Sequence, residues 1–272
     1  MICGKGGIGK TTLVSNLAVL GVQRGLSVLQ VGCDPKHDSC SVHTGRRLRT
    51  VMDLFRENGR VDRRDIEGLL VQGRTGVWCL EAGGPQPGVG CAGRAITLAL
   101  DLFETAGDLL SSYDAVFYDL LGDVVCGGFA TPFRRGPDTA IYLVTSGEIL
   151  PIYAANNIAI GVQTLARRGG GRIAGLVANL RGVPDERGLL ERFASALGTR
   201  VAAWIPRDPA VFEAERTGRT VVETHPDSAA ARAIRDLAET IFDGTPDSLV
   251  VPTPLPDDDF EALFAAWRRE GS

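Results

Sequence analysis

The sequence predicts an α/β fold, in which one mostly parallel β-sheet is flanked by helices on both faces. Short runs rich in β-branched residues alternate with longer helical stretches, and this alternation is typical of a helix-covered parallel sheet. A chain of 272 residues with 44% hydrophobic and 23% charged content can bury one large core or two small ones. Because no internal repeat or low-complexity tract divides the chain, we predict a single domain with a peripheral tail.

The elements follow in chain order from this pattern. Strands are predicted at 27–32, 76–82, 115–119, 139–145, 173–178 and 201–205. The clearest helices are predicted at 10–24, 153–167, 189–197 and 229–242. Residues 243–259 are rich in Pro and Asp, which is typical of a linker, and a last short helix is expected near 260–268. The predicted domain therefore covers residues 1–242, and the linker with its peripheral helix covers 243–272.

Composition excludes several classes of partner. The formal net charge of −4 and the isoelectric point near 5.5 give no attraction to nucleic acid or to an anionic membrane. The first residues do not resemble a secretory signal, and no apolar run reaches the roughly 18 residues of a membrane span. We therefore expect a cytoplasmic protein without nucleic-acid or membrane partners. In that compartment the six cysteines are expected to be thiols or metal ligands rather than disulfides.

The segment GKGGIGKT at residues 4–11 fits the phosphate-binding pattern GxxxxGK followed by Ser or Thr. Its glycines let backbone N–H groups surround phosphate oxygens at a helix N-terminus. We expect Lys10 to neutralise the β and γ phosphates and the Thr11 hydroxyl to hold magnesium. Only three residues precede the loop, so the first strand is expected to be stunted or the chain start to be short. The predicted nucleotide-binding residues here are Gly4, Lys5, Gly6, Gly7, Ile8, Gly9, Lys10, Thr11 and Thr12.

Lys5 distinguishes this loop from the generic motif. A second lysine just after the first glycine is typical of the deviant Walker A loop of dimeric P-loop ATPases, in which it reaches the nucleotide of the partner subunit. Two carboxylates fit the magnesium side of the same site, because Asp119 closes one apolar strand and Asp34 follows another. Side chains at the carboxyl ends of strands face the ligand crevice of an open α/β sheet.

Cys91 and Cys126 each lie in a glycine-rich segment, GVGCAGR and GDVVCGG. Glycine admits close backbone approach, and the N–H groups so exposed can bind cluster sulfurs. A 4Fe-4S cluster takes four thiolates, so a two-fold dimer that gives two ligands per subunit is the simplest solution. From spacing alone, the alternative that both cysteines fill core space stays open. Core packing is the expected role of Cys3, Cys40 and Cys79, and the role of Cys33 is left open.

Several segments in the same order resemble one family. The chain looks like the iron protein of nitrogenase, together with the reductase subunits of protochlorophyllide, chlorophyllide and methylthio-alkane reductases. The matching segments are GKGGIGK at 4–10, GCDPK at 32–36, GGP at 83–85, GVGCAGR at 88–94, DLLGDVVCGGF at 119–129, YAANN at 153–157 and PRD at 206–208.

The resemblance implies roles for residues at the matching positions. Cys91 and Cys126 would ligate one 4Fe-4S cluster shared across a homodimer, and Arg94 would lie on the docking face beside it. Residues 119–123, from Asp119 to Asp123, would form the switch that links nucleotide state to cluster position. A second switch near magnesium and the γ phosphate would contain Asp34, Lys36 and Asp38, and Asn179 with Pro206, Arg207 and Asp208 would hold the adenine.

The resemblance also implies partners and a reaction. MgATP hydrolysis would drive single electrons from the cluster to a nitrogenase-like catalytic component of the heterotetramer type, and ferredoxin or flavodoxin would supply them. The client is expected to be nitrogenase or a nitrogenase-like enzyme such as methylthio-alkane reductase. One alternative is tetrapyrrole reduction, which His37 in PKHD favours. Phe212 departs from the pattern, because a polar residue is expected near the base at this position.

Two other classes share the ATPase loop. A partition or division-site ATPase needs a basic face or tail, whereas the last predicted helix is preceded by Asp257, Asp258 and Asp259 and the total charge is negative. A cluster carrier of the same superfamily holds its cluster with a CxxC pair, and the sequence contains none. Both classes are therefore disfavoured.

Overall fold

The computed structural model describes residues 1–85, 97–99, 101–102, 107–120, 139–167, 169–244 and 249–270. The strands are β1 (Ile2–Gly4), β2 (Val28–Cys33), β3 (Val71–Gln72), β4 (Trp78–Glu81), β5 (Ala115–Leu120), β6 (Ala140–Thr145), β7 (Arg172–Asn179) and β8 (Val201–Ile205). The helices are α1 (Lys10–Gln23), α2 (Ser41–Thr44), α3 (Val51–Asn58), α4 (Arg63–Leu69), α5 (Ile149–Ala166), α6 (Glu186–Ala196), α7 (Pro209–Arg216), α8 (Val221–Thr224), α9 (Ala229–Asp243) and α10 (Asp257–Glu270). A 3-10 helix covers Gly107–Ser112.

The eight strands of the described residues form one sheet in the order β3-β4-β2-β5-β1-β6-β7-β8. Every pairing is parallel except that of the short edge strand β3 with β4. Parallel strands place their carboxyl ends at one edge, where an open α/β sheet binds its ligands. The predicted fold class, a single α/β domain with a mostly parallel sheet, is confirmed.

Helices cover both faces of this sheet. Side chains of α3, α4, α5, α6 and α10 pack into the core on one face, with Phe193 and Ile66 fully buried there. Those of α1, α7, α8 and α9 pack on the other face, around residues such as Leu17 and Ile234. Because both faces are buried, the central strands consist of nearly continuous apolar runs, as expected of a parallel sheet.

All six predicted strands are present. The shorter elements were predicted less completely, because β3 and the helices α2, α3, α4, α7 and α8 were not predicted. The first strand is indeed stunted, with three residues that nevertheless pair with both β5 and β6. The edge strand β3 was missed because two residues carry no readable periodicity. The last helix begins at Asp257 rather than near residue 260, since acidic residues in its first turn interact favourably with the helix dipole.

The tail returns to the domain surface. Asn156 of α5 donates to the Leu255 carbonyl and accepts from the Leu255 N–H, both at 2.9 Å. The indole of Trp267 donates to the Pro184 carbonyl at 3.1 Å, and Phe264 is buried. The predicted boundary at residue 242 stays a prediction.

Helix α5 has the length and apolar composition that could cross a membrane by those two criteria alone. It packs against β1, β6 and β7, and Ile152, Ala155 and Ala159 are fully buried in the core. The helix thus has the contacts of a core element.

Candidate functional site

The phosphate-binding loop connects β1 to α1 at the carboxyl edge of the sheet. Gly4 and Gly9 both have positive φ angles, 153° and 99°. A Cβ atom on Gly4 would lie 2.2 Å from the Val144 carbonyl oxygen, and one on Gly9 would lie 2.7 Å from the Asn179 side-chain nitrogen. Only glycine fits the backbone at these two positions without a clash, which explains the glycines at the start and the end of the loop.

The two lysines of the loop have different environments. Lys10 is only 8% exposed, and its ammonium donates a hydrogen bond to the Lys5 carbonyl at 3.1 Å. The Lys5 side chain is half-buried, and no described hydrogen bond or ion pair of this chain uses its ammonium. Lys10 is therefore held within its own loop, whereas Lys5 is available to a group outside the described residues.

A buried hydrogen-bond cluster lies beside the start of α1. Asp119 at the end of β5 is 2% exposed and accepts hydrogen bonds from the Thr11 hydroxyl at 2.5 Å and the Ser39 hydroxyl at 2.7 Å. Burial raises the pKa of the Asp119 carboxyl, and the two hydroxyl hydrogen bonds oppose that rise. Sequence reasoning singled out Thr11 and Asp119 but missed Ser39, which lies eighty residues from Asp119 in the chain.

Glu81 was also missed, although its position carried a signal. Glu81 is the last residue of β4, and Asp119 is the second-last residue of β5. The register places Gly32 of β2 between these two residues. One carboxylate oxygen of Glu81 accepts from the Cys40 N–H at 2.8 Å, while the other is buried without a described partner. Burial raises the pKa of Glu81 to about 7 despite that hydrogen bond, and the nearby Asp119 and Asp38 raise it further.

The predicted switch residues Asp34, Lys36 and Asp38 follow β2. The Asp34 carboxylate accepts from the Lys36 N–H at 2.8 Å, which forms a local turn, and Lys36 and Asp38 are exposed. His37 between them has a positive φ of 45°. No described hydrogen bond joins these side chains to the phosphate loop, so only Ser39 and Cys40 attach this segment to the cluster around Asp119 and Glu81.

A cleft of about 290 Å³ adjoins the phosphate loop on the other side, between β7, β8 and α7. Asn179 closes β7, and its side-chain amide donates to the Ile8 carbonyl of the loop at 2.7 Å. Arg181 donates to the Gly7 carbonyl at 3.3 Å. The predicted base-binding residues Asn179, Pro206, Arg207 and Asp208 all line this cleft, as do Thr12 and Phe212.

Asp208 also fixes the position of α7. Its carboxylate caps that helix by accepting from the Ala210 N–H, and it accepts from the Ala230 N–H at the start of α9, both at 3.0 Å. These hydrogen bonds, with that from Ala230 the largest, lower the pKa of Asp208. Further along α7, Glu215 accepts from the Thr12 hydroxyl at 3.1 Å, so α7 is tied to α1 across the cleft.

The described cysteines are core residues. Cys3, Cys33, Cys40 and Cys79 are buried free thiols, and burial raises the pKa of Cys3 to about 12. Cys33, whose role the sequence left open, is fully buried, and its pKa is raised for the same reason. In the ranges that the structure describes, no group of three or more His, Cys, Asp or Glu could hold a metal ion. The predicted cluster ligands Cys91 and Cys126, and with them Arg94 and Asp123, lie outside the described residues.

Comparison with known proteins places this geometry in a family. The profile of the family described as 4Fe-4S iron sulfur cluster binding proteins, NifH/frxC family, matches residues 1–269. Nitrogenase iron protein 2 of Methanothermobacter thermautotrophicus is 44% identical over 270 residues, which are 99% of this chain and 98% of the relative. The nitrogenase iron protein of Methanospirillum hungatei is 46% identical over 269 residues, which are 97% and 94% of the two chains.

Solved structures agree on the architecture. The cell division ATPase MinD of Pyrococcus furiosus superposes with a TM-score of 0.68 at 25% identity, over 90% of this chain and 98% of that one. The likeness supports the predicted P-loop NTPase fold, while the much higher identities lie with the iron proteins. The resemblance predicted from sequence is confirmed, and with it a 4Fe-4S cluster and MgATP as cofactors. The chain belongs to the NifH/frxC family of 4Fe-4S iron-sulfur cluster binding proteins.

Proposed function

We propose that this chain is the ATP-dependent reductase component of a nitrogenase-like enzyme. In this proposal it passes single low-potential electrons from a dimer-bridging 4Fe-4S cluster to a separate catalytic component, with MgATP hydrolysis as the driving reaction. The observation that carries the proposal is the match of nearly the whole chain to a cluster-binding family, together with a lysine-bearing phosphate loop on the same polypeptide.

The phosphate loop would hold the triphosphate, and the described residues fit that task. Buried Lys10 would place its ammonium against the β and γ oxygens, and Lys5, whose ammonium has no described partner in this chain, would reach the nucleotide of the second subunit. The Thr11 hydroxyl would ligate magnesium, and Asp119 would hold that hydroxyl in place. Such a site acts by positioning and by stabilising charge on the γ phosphate during attack by water.

The switch roles of Asp34, Lys36, Asp38 and Asp123 are part of the same proposal. Ser39 supports it for the first segment, because its hydroxyl bonds Asp119 within the magnesium side of the site. A change at the γ phosphate would alter the contacts of Asp119 and Ser39 and, through Ser39, the position of residues 34–38. The segment from Asp119 to Asp123 would lead from the same carboxylate towards Cys126.

Cys91 and Cys126 would give two thiolates per subunit to the cluster, which supplies one-electron transfer. The proposed assembly is a homodimer that accepts electrons from ferredoxin or flavodoxin and delivers them to a heterotetrameric partner. The proposed client is nitrogenase or a nitrogenase-like enzyme such as methylthio-alkane reductase. A tetrapyrrole reductase is the alternative client that His37 favours, because it stands in PKHD on the switch segment.

Anaerobic purification tests the proposal. We expect about four iron atoms per dimer and a reducible visible chromophore, both lost in Cys91→Ser and Cys126→Ser. The matched control is Cys79→Ser, which replaces a buried cysteine of the sheet and keeps the iron. An iron-free wild-type monomer would overturn the proposal. Trapping the complex with MgADP and fluoroaluminate, followed by identification of the copurifying proteins, would distinguish the proposed clients.

A further inference from the structure

Phe212 is an unusual residue of the described chain. It lies on α7 with 64% of its surface exposed, whereas every other described phenylalanine is buried or half-buried. Exposure costs the hydrophobic stabilisation that burial of an aromatic ring normally gives. The ring also lines the 290 Å³ cleft beside the phosphate loop rather than a convex surface.

The walls of this cleft suit a flat apolar ring. Val144, Leu180, Ile205, Val211 and Ile234 provide apolar lining, and the polar groups come from Asn179, Arg181, Arg207 and Asp208. Concave sites of this composition bind a planar heterocycle by apolar contact and orient it with a few polar groups.

Helix α7 holds Phe212 in a fixed relation to the phosphate loop. Glu215 lies one turn after Phe212 on the same helix face, and it accepts from Thr12, which directly follows the magnesium-side Thr11. At its other end α7 is capped by Asp208, which also lines the cleft. Contacts before and after Phe212 in the chain therefore link its helix to elements of the nucleotide site.

We propose that Phe212 stacks on the base of the bound nucleotide and is a base-binding residue of this chain. The inference rests on the proposed nucleotide function of the cleft. Base–aromatic stacking is tolerant of base identity, because every base has a π face. Phe212 thus strengthens binding of adenine and guanine nucleotides by a similar factor, and discrimination between them falls to the polar groups of Asn179 and Arg207 at the cleft.

Nucleotide titration of the cluster-loaded dimer tests the stacking. Phe212→Ala raises the Kd of MgADP and of MgGDP by about tenfold each, and Phe212→Leu, which keeps an apolar side chain without a π face, does the same. Phe212→Trp retains wild-type affinity or improves it. The Kd of inorganic tripolyphosphate, which has no base, does not change in any of these variants. Ile160→Ala, which truncates an exposed apolar side chain on α5, is the matched control and leaves all three ligands unaffected.

The outcomes separate the inference from the proposed function. If the wild-type protein binds no nucleotide, the proposed function fails. If it binds MgADP and Phe212→Ala or Phe212→Leu binds equally well, only the stacking is overturned. An equal loss of tripolyphosphate affinity in Phe212→Ala also overturns it, because the ring would then act through the fold of the phosphate loop. Circular dichroism and sedimentation of each variant establish that fold and dimer are intact.

Discussion

The two ends of the candidate nucleotide site are built differently. The phosphate end consists of residues 4–12 with Ser39 and Asp119. The charged groups of Lys10 and Asp119 are buried there, and each is hydrogen-bonded to uncharged groups of the site. The base end is the cleft lined by Asn179, Pro206, Arg207 and α7. The side chains of Phe212 and Arg207 are exposed there. Buried polar networks preorganise a site for charge stabilisation, whereas exposed side chains contribute mainly to ground-state binding. The comparison therefore predicts that phosphate-end changes lower kcat and base-end changes raise KM.

Replacement of Lys10 should give the largest effect. Lys10→Gln removes the buried positive charge that would face the γ phosphate, so we expect the kcat of MgATP hydrolysis to fall by at least about a hundredfold. Phosphate release measured in the presence of the catalytic partner gives kcat and KM separately. The proposed difference between the two ends is wrong if Lys10→Gln raises KM and leaves kcat unchanged.

The control for Lys10→Gln is Arg60→Gln, which removes one positive charge from an exposed position outside both ends of the nucleotide site. Its kinetic constants should equal those of the parent protein. Thermal unfolding of both variants shows whether a loss of activity comes from a loss of fold.

The buried carboxyl of Glu81 should give the next largest effect, which is on the pH dependence of stability. Its pKa is about 7 in the folded protein against an ordinary value of 4.5, so between these values the folded chain holds a proton that the unfolded chain has released. The contribution of this group to the free energy of unfolding is therefore fully present below pH 4.5 and is lost as pH rises through 7. The loss amounts to at most about 3 kcal/mol. Glu81→Gln imitates the protonated form, so the variant should lack this loss and be more stable than the parent at about pH 8.

Urea unfolding without nucleotide at about pH 5 and about pH 8 measures this difference. Glu191→Gln is the matched control, because Glu191 is exposed on α6, and it should follow the parent protein at both values. Equal pH dependence of Glu81→Gln and the parent would show that the orphaned oxygen of Glu81 is solvated or paired in solution.

The same contrast explains what the sequence could predict. Residues 4–12 are contiguous, and backbone geometry requires glycine at Gly4, Gly7 and Gly9, so a local motif predicted the loop residue by residue. Glu81 ends a correctly predicted strand, and the argument that selected Asp119 applied to it equally. Ser39 carried no such signal, since its partner Asp119 is remote in the chain and the contact depends on strand order.

The base end was predicted less completely because its shape depends on contacts between segments that are far apart in the chain. Pro206, Arg207 and Asp208 were expected there from the family resemblance, and they do line the cleft. Helix α7 was not predicted as an element, although Asp208 followed by Pro209 is typical of an N-cap and first helical position. Glu215 was missed together with this helix. Arg181, which follows β7, was missed because it contributes through a contact with a loop that is remote in the chain.

The smallest predicted effect separates helix capping from base binding. Asp208→Ala removes the cap of α7 and its hydrogen bond to α9, so the free energy of unfolding should fall by about 1 kcal/mol. Because α7 carries Phe212, the KM for MgATP should rise, though by less than in Phe212→Ala, and kcat should stay constant.

Asp62→Ala isolates the capping contribution in this last case. Asp62 caps α4 by accepting from the Asp65 N–H at 3.0 Å, and it lies outside the base cleft. Its loss should cost a similar free energy of unfolding without changing the KM for MgATP. If both variants raise KM equally, general loosening of the fold rather than displacement of α7 controls base binding. If only Asp208→Ala raises KM, the base end depends on the placement of one short helix, while the phosphate end depends on the loop itself.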